Sequence, residues 1–434
     1  MAVDEPGTVV TGAVAAEAAA DQPAVPPPPV GASMSEYTQA WFRQVRSGDS
    51  GVLPVVIGLV IIVIIFQRQS SVFLSAGNLV NLIQQGAPFV LLGMAEVFVL
   101  LLGEIDLSVG FVAGIGAVIM ATLATAPHNL GWPIAVLAGL AATAAIGLVQ
   151  GGLITRLGLP SFVVTLAGLL GWEGALIALV NLQSSSNGGT IRIDNPVIID
   201  FVNGSMSPTL GWIVVGVGVG AFAVISLLRD RRRRASGLVT PPLTLTLLKI
   251  AVTAIAGVVL VVICNKNRGV LAIAPVKGMP WVVPIVVGLL LAWTLLLGRT
   301  QFGRYVYAIG GNAEAARRAG INVRRIRLLS FMFCSLTAGV GGIIYASRLG
   351  SISNNIDGGT LVLYAVAAAV IGGTSLFGGR GKMLHALLGG VVVATIFNGM
   401  GLIGLSAATQ DMVTALVLLA AVAVDAVARR GRPT

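Results

Sequence analysis

A succession of about a dozen long apolar runs, each close to the length that crosses a bilayer, constrains this chain more than any other feature. A helix rises about 1.5 Å per residue, so roughly 17–25 apolar residues traverse a hydrocarbon core of about 30 Å. The runs fall at about 51–67, 80–102, 107–126, 132–153, 160–181, 209–228, 243–264, 281–298, 328–346, 361–378, 384–403 and 411–428. They are continuous rather than striped, as helices surrounded by lipid and by other helices read. Composition agrees, with 56% of the 434 residues hydrophobic and only 10% charged, against about 25% charged in an ordinary soluble domain. So few charges cannot cover a water-soluble globule. The expected fold is an all-α polytopic membrane protein of about 12 transmembrane helices. The 56 glycines fit it, because small residues let helix backbones approach closely in lipid.

A net charge of +10 would suggest nucleic acid in a soluble chain. Here the positive-inside bias of cytoplasmic loops explains it, and no nucleic-acid partner is expected. If the N-terminus starts in the cytoplasm and the spans alternate, 21 of the 27 Lys and Arg residues fall inside. These include Arg229, the Arg231–Arg234 run, Arg299 through Arg327, Arg380, Lys382 and a basic tail at 429–434. Only Arg68, Arg192, Lys266, Arg268, Lys277 and Arg348 fall outside. Both termini are therefore expected in the cytoplasm, and the chain in a cell membrane.

Residues 1–50 are read as a disordered tail, with the Pro26–Pro29 run and no basic region that would start a signal peptide. Within it, Tyr37, Trp41 and Val45 recur at helical spacing near 34–47. That pattern suits a short helix lying on the membrane surface, or one packed against the protein itself. The body, 51–428, is read as one transmembrane domain. Cys264 and Cys334 are far apart, and two histidines leave little room for a metal centre.

No phosphate-binding loop is present. The nearest stretch, Gly378 to Met383, lacks the glycine spacing and the hydroxyl after the lysine. Hydrolytic motifs are also missing, so the chain is not expected to be an enzyme. Its ionisable residues at membrane depth are more informative, since such groups are costly and face a cavity or a partner. In Gly103-Glu104-Ile105-Asp106-Leu107-Ser108-Val109-Gly110, two carboxylates and a serine lie between two spans. Either the segment is a helix break lining a transport route, or Asp106 N-caps the third span with help from Ser108. Glu96 and Glu173 lie inside apolar runs, where each can serve as an interhelical hydrogen-bonding group or a proton carrier. Trp172 offers a face on which a sugar could stack, or an interfacial anchor. Asn398, Gln84 and Gln85 complete the polar candidates.

Two loops stand out. Segment 182–208 is polar and nearly uncharged, and is expected outside. Segment 299–327 is basic, is expected inside, and contains a short helix pattern. There Asn312 is the N-cap, Glu314 lies in the first turn, Arg317 and Arg318 follow, and Gly320 is the stop. A second glycine-rich break, Gly372 to Gly381, closes the tenth span.

Three motifs in order carry a family resemblance: Gly103–Gly110; Phe302-Gly303-Arg304 running to Gly310-Gly311-Asn312-Ala313-Glu314 and Gly320-Ile321-Asn322; and Gly372 to Gly379. By these motifs the chain resembles the permease subunit of bacterial ABC importers for monosaccharides, of the ribose/xylose/galactose class and especially the xylose type. The resemblance implies a ten-helix core, so the pair around 209–264 is an extra one. It also implies that the permease binds no cofactor and that ATP and Mg sit on a partner ATPase. The other partners it implies are an extracytoplasmic sugar-binding protein and a second permease copy. Asn312, Glu314, Arg317, Arg318 and Gly320 would form the coupling helix that docks on the ATPase. The family usually has a second glycine where Glu104 stands. Two other functions suit such a bundle: an ion-coupled secondary transporter using Glu96, Glu104, Asp106 and Glu173, or an ABC permease for branched-chain amino acids.

Overall fold

A computed structural model describes residues 52–183, 189–238, 240–269 and 275–430, together with Gln39. Except for Gln39, the tail at 1–50 with its helix near 34–47 lies outside the described residues, as does the end of the basic tail. Each of the twelve apolar runs falls on a helix. In chain order these are α1 (Leu53–Gln69), α2 (Ala76–Leu100), α3 (Val109–Ala124), α4 (Trp132–Arg156), α5 (Ser161–Gln183), then β1 (Thr190–Arg192) and α6 (Pro196–Asp200). There follow α7 (Pro208–Ala235), α8 (Leu243–Asn265), α9 (Val282–Arg299), α10 (Gln301–Gly311), α11 (Ala313–Arg318) and α12 (Val323–Leu349). The chain ends with β2 (Ser351–Ser353), α13 (Gly358–Ile371), α14 (Met383–Leu402) and α15 (Ala407–Arg430). Eight described helices are long and apolar enough to cross a membrane: α2, α4, α5, α7, α8, α9, α12 and α14. The fold is a helical, polytopic membrane bundle.

The chain divides into two units. Val52–Gly216 with Gly257–Val422 forms the larger one; the smaller contains Val217–Ala256. In the larger unit, α12 packs on α4, α2 and α3, and α14 packs on α2 and α13. Close approach requires glycine at the crossings: a Cβ on Gly342 of α12 would run into the Ala113 carbonyl of α3. Among its described residues, the smaller unit contains the facing parts of α7 and α8. Its buried Asp230 accepts from Thr246 Oγ1 at 2.6 Å and lies 3.7 Å from Arg229 Nε.

The observed bounds depart from the sequence expectation where chain chemistry overrides hydropathy. The tenth span, expected at 361–378, stops at Ile371, and Gly373 (φ 110°) turns the chain away, so Leu376 and Phe377 belong to a loop. The sixth, expected to end at 228, continues through the arginine run to Ala235, since Arg is a good helix former outside the bilayer. At 16 and 14 residues, α3 and α13 fall short of about 17. Both are buried among other helices, where a short span leaves no backbone exposed to lipid. Their N-terminal ends touch, the Gly110 backbone lying against the Gly358 carbonyl.

The loops sort into two ends. At one end, residues 101–108, the α9–α12 connection and the loop 372–382 touch. At the other, segment 182–208, read from sequence as a polar, nearly uncharged loop, contains β1 and α6. There β1 pairs antiparallel with β2, Ile191 opposite Ile352, and Ser347 Oγ donates to the Ile198 carbonyl at 2.6 Å.

Candidate functional site: a glycine junction beneath a buried carboxylate

The short helix α11 forms as its residues require. Asn312 Oδ1 accepts from Ala315 N at 2.9 Å, Ala316 is the buried anchor, and Gly320 (φ 82°) ends the turn. Glu314 reaches Arg317 at 2.6 Å and Arg318 at 3.3 Å. All three side chains are more than half exposed, so the pairs add only about 0.3–0.5 kcal/mol each. Their consequence is a fixed, outward charge pattern rather than stability.

Sequence reasoning missed the amphipathic helix α10 that precedes α11. Thr300 caps it by accepting from Gly303 N at 3.3 Å. Its end brings all three motifs into one contact. Gly310 lies so close to the Leu101 carbonyl and to Gly379 N that any side chain there would clash with backbone. Gly379 N donates to the Leu101 carbonyl at 2.9 Å, and Gly103 (φ 78°) packs against the Phe377 carbonyl and Gly378. Tyr307 Oη donates to the Gly381 carbonyl at 2.8 Å. Sequence alone shows three separate glycine motifs; the fold makes them one joint.

Glu104 belongs to this joint. The residue that sequence marks as an added charge near the route is paired instead with Arg327 on the first turns of α12. Its side chain is 10% exposed, and burial pushes the carboxyl above the ordinary range, against the pull of the Arg327 guanidinium. The pair fastens the α2–α3 turn to the helix that leaves α11.

Deeper in, Asp106 is fully buried. Its Oδ1 accepts from Ser108 N at 2.9 Å and from Ser108 Oγ at 2.6 Å, and Ser108 Oγ accepts from Gln150 Nε2 of α4 at 2.8 Å. Cys334 Sγ of α12 lies 3.7 Å from Asp106 Oδ2. Of the two roles read from sequence, capping is corrected. Ser108 occupies the N-cap position of α3 without a side-chain cap bond, and Asp106 closes an Asx turn just before the helix. The carboxylate ties α3, α4 and α12 together through its partners.

Glu96, also fully buried, does not form the interhelical hydrogen bond its position suggests. Neither oxygen has a partner of good geometry; the Asp106 backbone N–H and Cys334 are the polar groups near it. The reason is local, for α2 is packed mainly by apolar and small side chains there. Glu173 departs further from expectation. It is half-buried, because α5 lies at the rim of the bundle, and among the described residues it joins no acidic or metal-ligating cluster. Trp172 packs at the edge of the core with its buried Nε1 unpartnered. Asn398 exchanges hydrogen bonds with Asn78 at 2.8 and 3.1 Å and donates to Gln85 Oε1 at 3.2 Å, well removed in sequence from the Asp106 group. Gln84 Nε2 donates to the Val202 carbonyl at 2.7 Å. Arg327, Gln150 and Tyr307 were not singled out from sequence. A lone glutamine in the 132–153 run was the one visible signal.

A family model described as "Branched-chain amino acid transport system / permease component" matches residues 78–422. The chain is 34% identical over 396 residues to the xylose transport system permease protein XylH of Escherichia coli (strain K12), covering 91% of this chain and 96% of that one. It is 29% identical to the ribose import permease protein RbsC of the same organism, over 90% and 95% of the two chains. Identity is also 29% to its D-allose transport system permease protein AlsC, over 85% and 89%. No solved structure matches. The resemblance carried by the three motifs is thus borne out, and with the match spanning all of them the chain belongs to the family of ABC importer permease components, multi-pass proteins of the bacterial inner membrane.

Proposed function

We propose that this chain is the membrane-spanning subunit through which an ABC importer takes up a monosaccharide, a pentose such as xylose. The relatives named for xylose, ribose and allose support a sugar over the branched-chain amino acids of the family description. In this reading the glycine-junction end faces the cytoplasm, both termini lie there, and the bundle has 12 spans: a ten-helix core and the α7–α8 pair. Residues 51–428 form the permease domain, and 1–50 and 429–434 are cytoplasmic tails. The chain binds no cofactor; ATP and Mg are held by a partner ATPase, which performs the hydrolysis. The remaining partners are a second copy of the permease and an extracytoplasmic sugar-binding protein that meets the β1–β2 end.

The single observation that carries the reading is the joint at Gly310. Helix α11, with Asn312, Glu314, Arg317, Arg318 and Gly320, is the part that enters an ATPase groove. Closure of the ATPases displaces it. Because Gly310 sits backbone to backbone on Leu101 and Gly379, and Arg327 holds Glu104, the displacement reaches the α2–α3 turn with little slack. That turn contains Asp106 and Ser108, and its movement against α4 and α12 switches access to the route from one side to the other. Glu96 stands beside it on α2; Trp172, Glu173 and Asn398 are further candidates along the path.

The test is reconstitution with the ATPase and binding protein. The reading expects ATP-dependent uptake of a monosaccharide that survives an uncoupler. Uptake that collapses with the ion gradient favours a secondary transporter, to which the unpartnered Glu96 carboxyl beside Asp106 gives structural footing. Uptake of leucine or valine in place of sugars favours the amino-acid permease.

A further inference from the structure

At the opposite end from the glycine junction, a cavity of about 290 Å³ lies between α2, α14 and α15. Four amide side chains line it: Asn81 and Gln85 of α2, Asn398 of α14 and Gln410 of α15, with Phe397 and Gly401. We infer that this cavity is a monosaccharide-binding site within the permease itself, a station the sugar occupies after leaving its delivery protein. The inference deepens the importer reading and rests on it.

Three features of the lining support the assignment. First, its hydrogen-bonding groups are held in place and partly unspent. Asn398 and Asn78 form a reciprocal, buried amide pair. Asn398 also donates to Gln85 Oε1, Arg348 donates to Asn81 Oδ1, and Gln410 Nε2 donates to the Leu405 carbonyl at 2.9 Å. Among the described residues this leaves the side-chain amide N–H groups of Gln85 and Asn81 and the side-chain Oε1 of Gln410 without protein partners. Sugar hydroxyls donate and accept together, which is what primary amides offer. Second, the aromatic ring is fixed. Phe397 is wedged edge-on between Phe89 at 5.6 Å and Tyr364 at 6.0 Å, presenting an apolar surface for the C–H face of a sugar ring. Third, none of the lining residues is charged. An amino acid would bring an ammonium and a carboxylate, each needing a charged or strongly dipolar partner on desolvation. The size agrees: at about 30 Å³ per water the volume equals about ten waters, and a pentose has about ten non-hydrogen atoms.

Gly401 makes the site testable without touching its hydrogen bonds. It lies on the lining within α14, and a Cβ added there meets nothing within 4 Å. Gly401→Leu therefore fills the cavity and raises helix propensity. The experiment is uptake of labelled D-xylose and D-ribose by the full complex in proteoliposomes, with assembly followed by co-purification of the ATPase. The expected result is an at least tenfold lower uptake rate for an assembled Gly401→Leu complex, and a three- to tenfold loss for Gln410→Ala. An assembled Gly401→Leu complex that transports within twofold of the unaltered one overturns the site. Should Gly401→Leu fail to assemble, Gln410→Ala decides: uptake within twofold overturns the proposal, and the stated loss sustains it. Absence of sugar uptake by the unaltered complex overturns the importer reading and this site with it, which separates the two failures.

Discussion

The two ends of the bundle are built by different means. At the glycine-junction end, the closest contacts are bare backbone, Gly310 at the end of α10 against Leu101 and Gly379, and Gly103 against Phe377 and Gly378, with Glu104–Arg327 and Tyr307–Gly381 as side-chain links beside them. At the other end, the loops are joined by side chains and by a short two-stranded ribbon. Asn203 Nδ2 donates to the Ser347 carbonyl at 2.8 Å, Gln183 Nε2 to the Ala126 carbonyl at 2.8 Å, and Asn354 Nδ2 to Asn181 Oδ1 at 3.2 Å. A backbone-to-backbone contact at van der Waals limit transmits a push, because neither side has a rotamer through which to yield. Side-chain bridges yield by rotating. In the proposed function, the contrast suits one end to receiving a power stroke and the other to accommodating a delivery protein.

Substitutions at the two ends should differ accordingly in effect. The largest effect is expected from Gly310→Val, which has no space at the joint; folded protein recovered from the membrane should fall severely, as judged by size-exclusion profiles. Next comes the double substitution Arg317→Glu with Arg318→Glu. It inverts the exposed charge of α11 and should abolish ATPase co-purification while insertion and monodispersity are retained. Glu104→Gln removes the partner of Arg327 in a site that is largely buried. The expected cost is about 1–3 kcal/mol, read as a lower melting temperature, together with a several-fold drop in coupled ATPase stimulation. Asp106→Asn keeps an oxygen that can accept from Ser108 and should cost less than threefold in uptake, whereas Asp106→Ala should cost far more. The smallest effect is expected at the ribbon. Arg192→Ala removes an exposed pair with Asp194 and should shift stability by less than about 0.5 kcal/mol, with ATPase co-purification unchanged.

Much of this was legible in the sequence, and unevenly so. Hydropathy placed each of the twelve helices because a lipid-embedded helix must be apolar over its length. The cap at Asn312 and the stop at Gly320 were readable because both are local chemistry. What sequence could not supply was long-range pairing. Glu104 and Arg327 are more than two hundred residues apart, as are Asn78 and Asn398, and no local pattern announces either. Bounds slipped where backbone freedom outweighed hydropathy, as at Gly372–Gly373, or where a helix outran the bilayer, as at Arg231–Arg234. Glu173 misled for a related reason: an acid within an apolar run reads as buried, but α5 turns that face to the rim.

The relative burial of the spans follows the same division of labour. The best-buried windows, in α2, α14 and α12, are 78, 67 and 61% inside the bundle, against 11% for α7 and for α8. The helices that carry Glu96, Asn398 and Cys334 are thus the ones enclosed by protein. The windows of α7 and α8 instead leave most of their apolar surface exposed, as lipid-facing helices do.

Whether α11 projects into the cytoplasm is decided by sidedness labelling of Arg317→Cys in a background where Cys264 and Cys334 are replaced by alanine. A membrane-impermeant thiol reagent should modify this position in inside-out vesicles and leave it unmodified in intact cells. Modification in intact cells, with protection in inside-out vesicles, would place α11 on the outer side and rule out its docking on an ATPase.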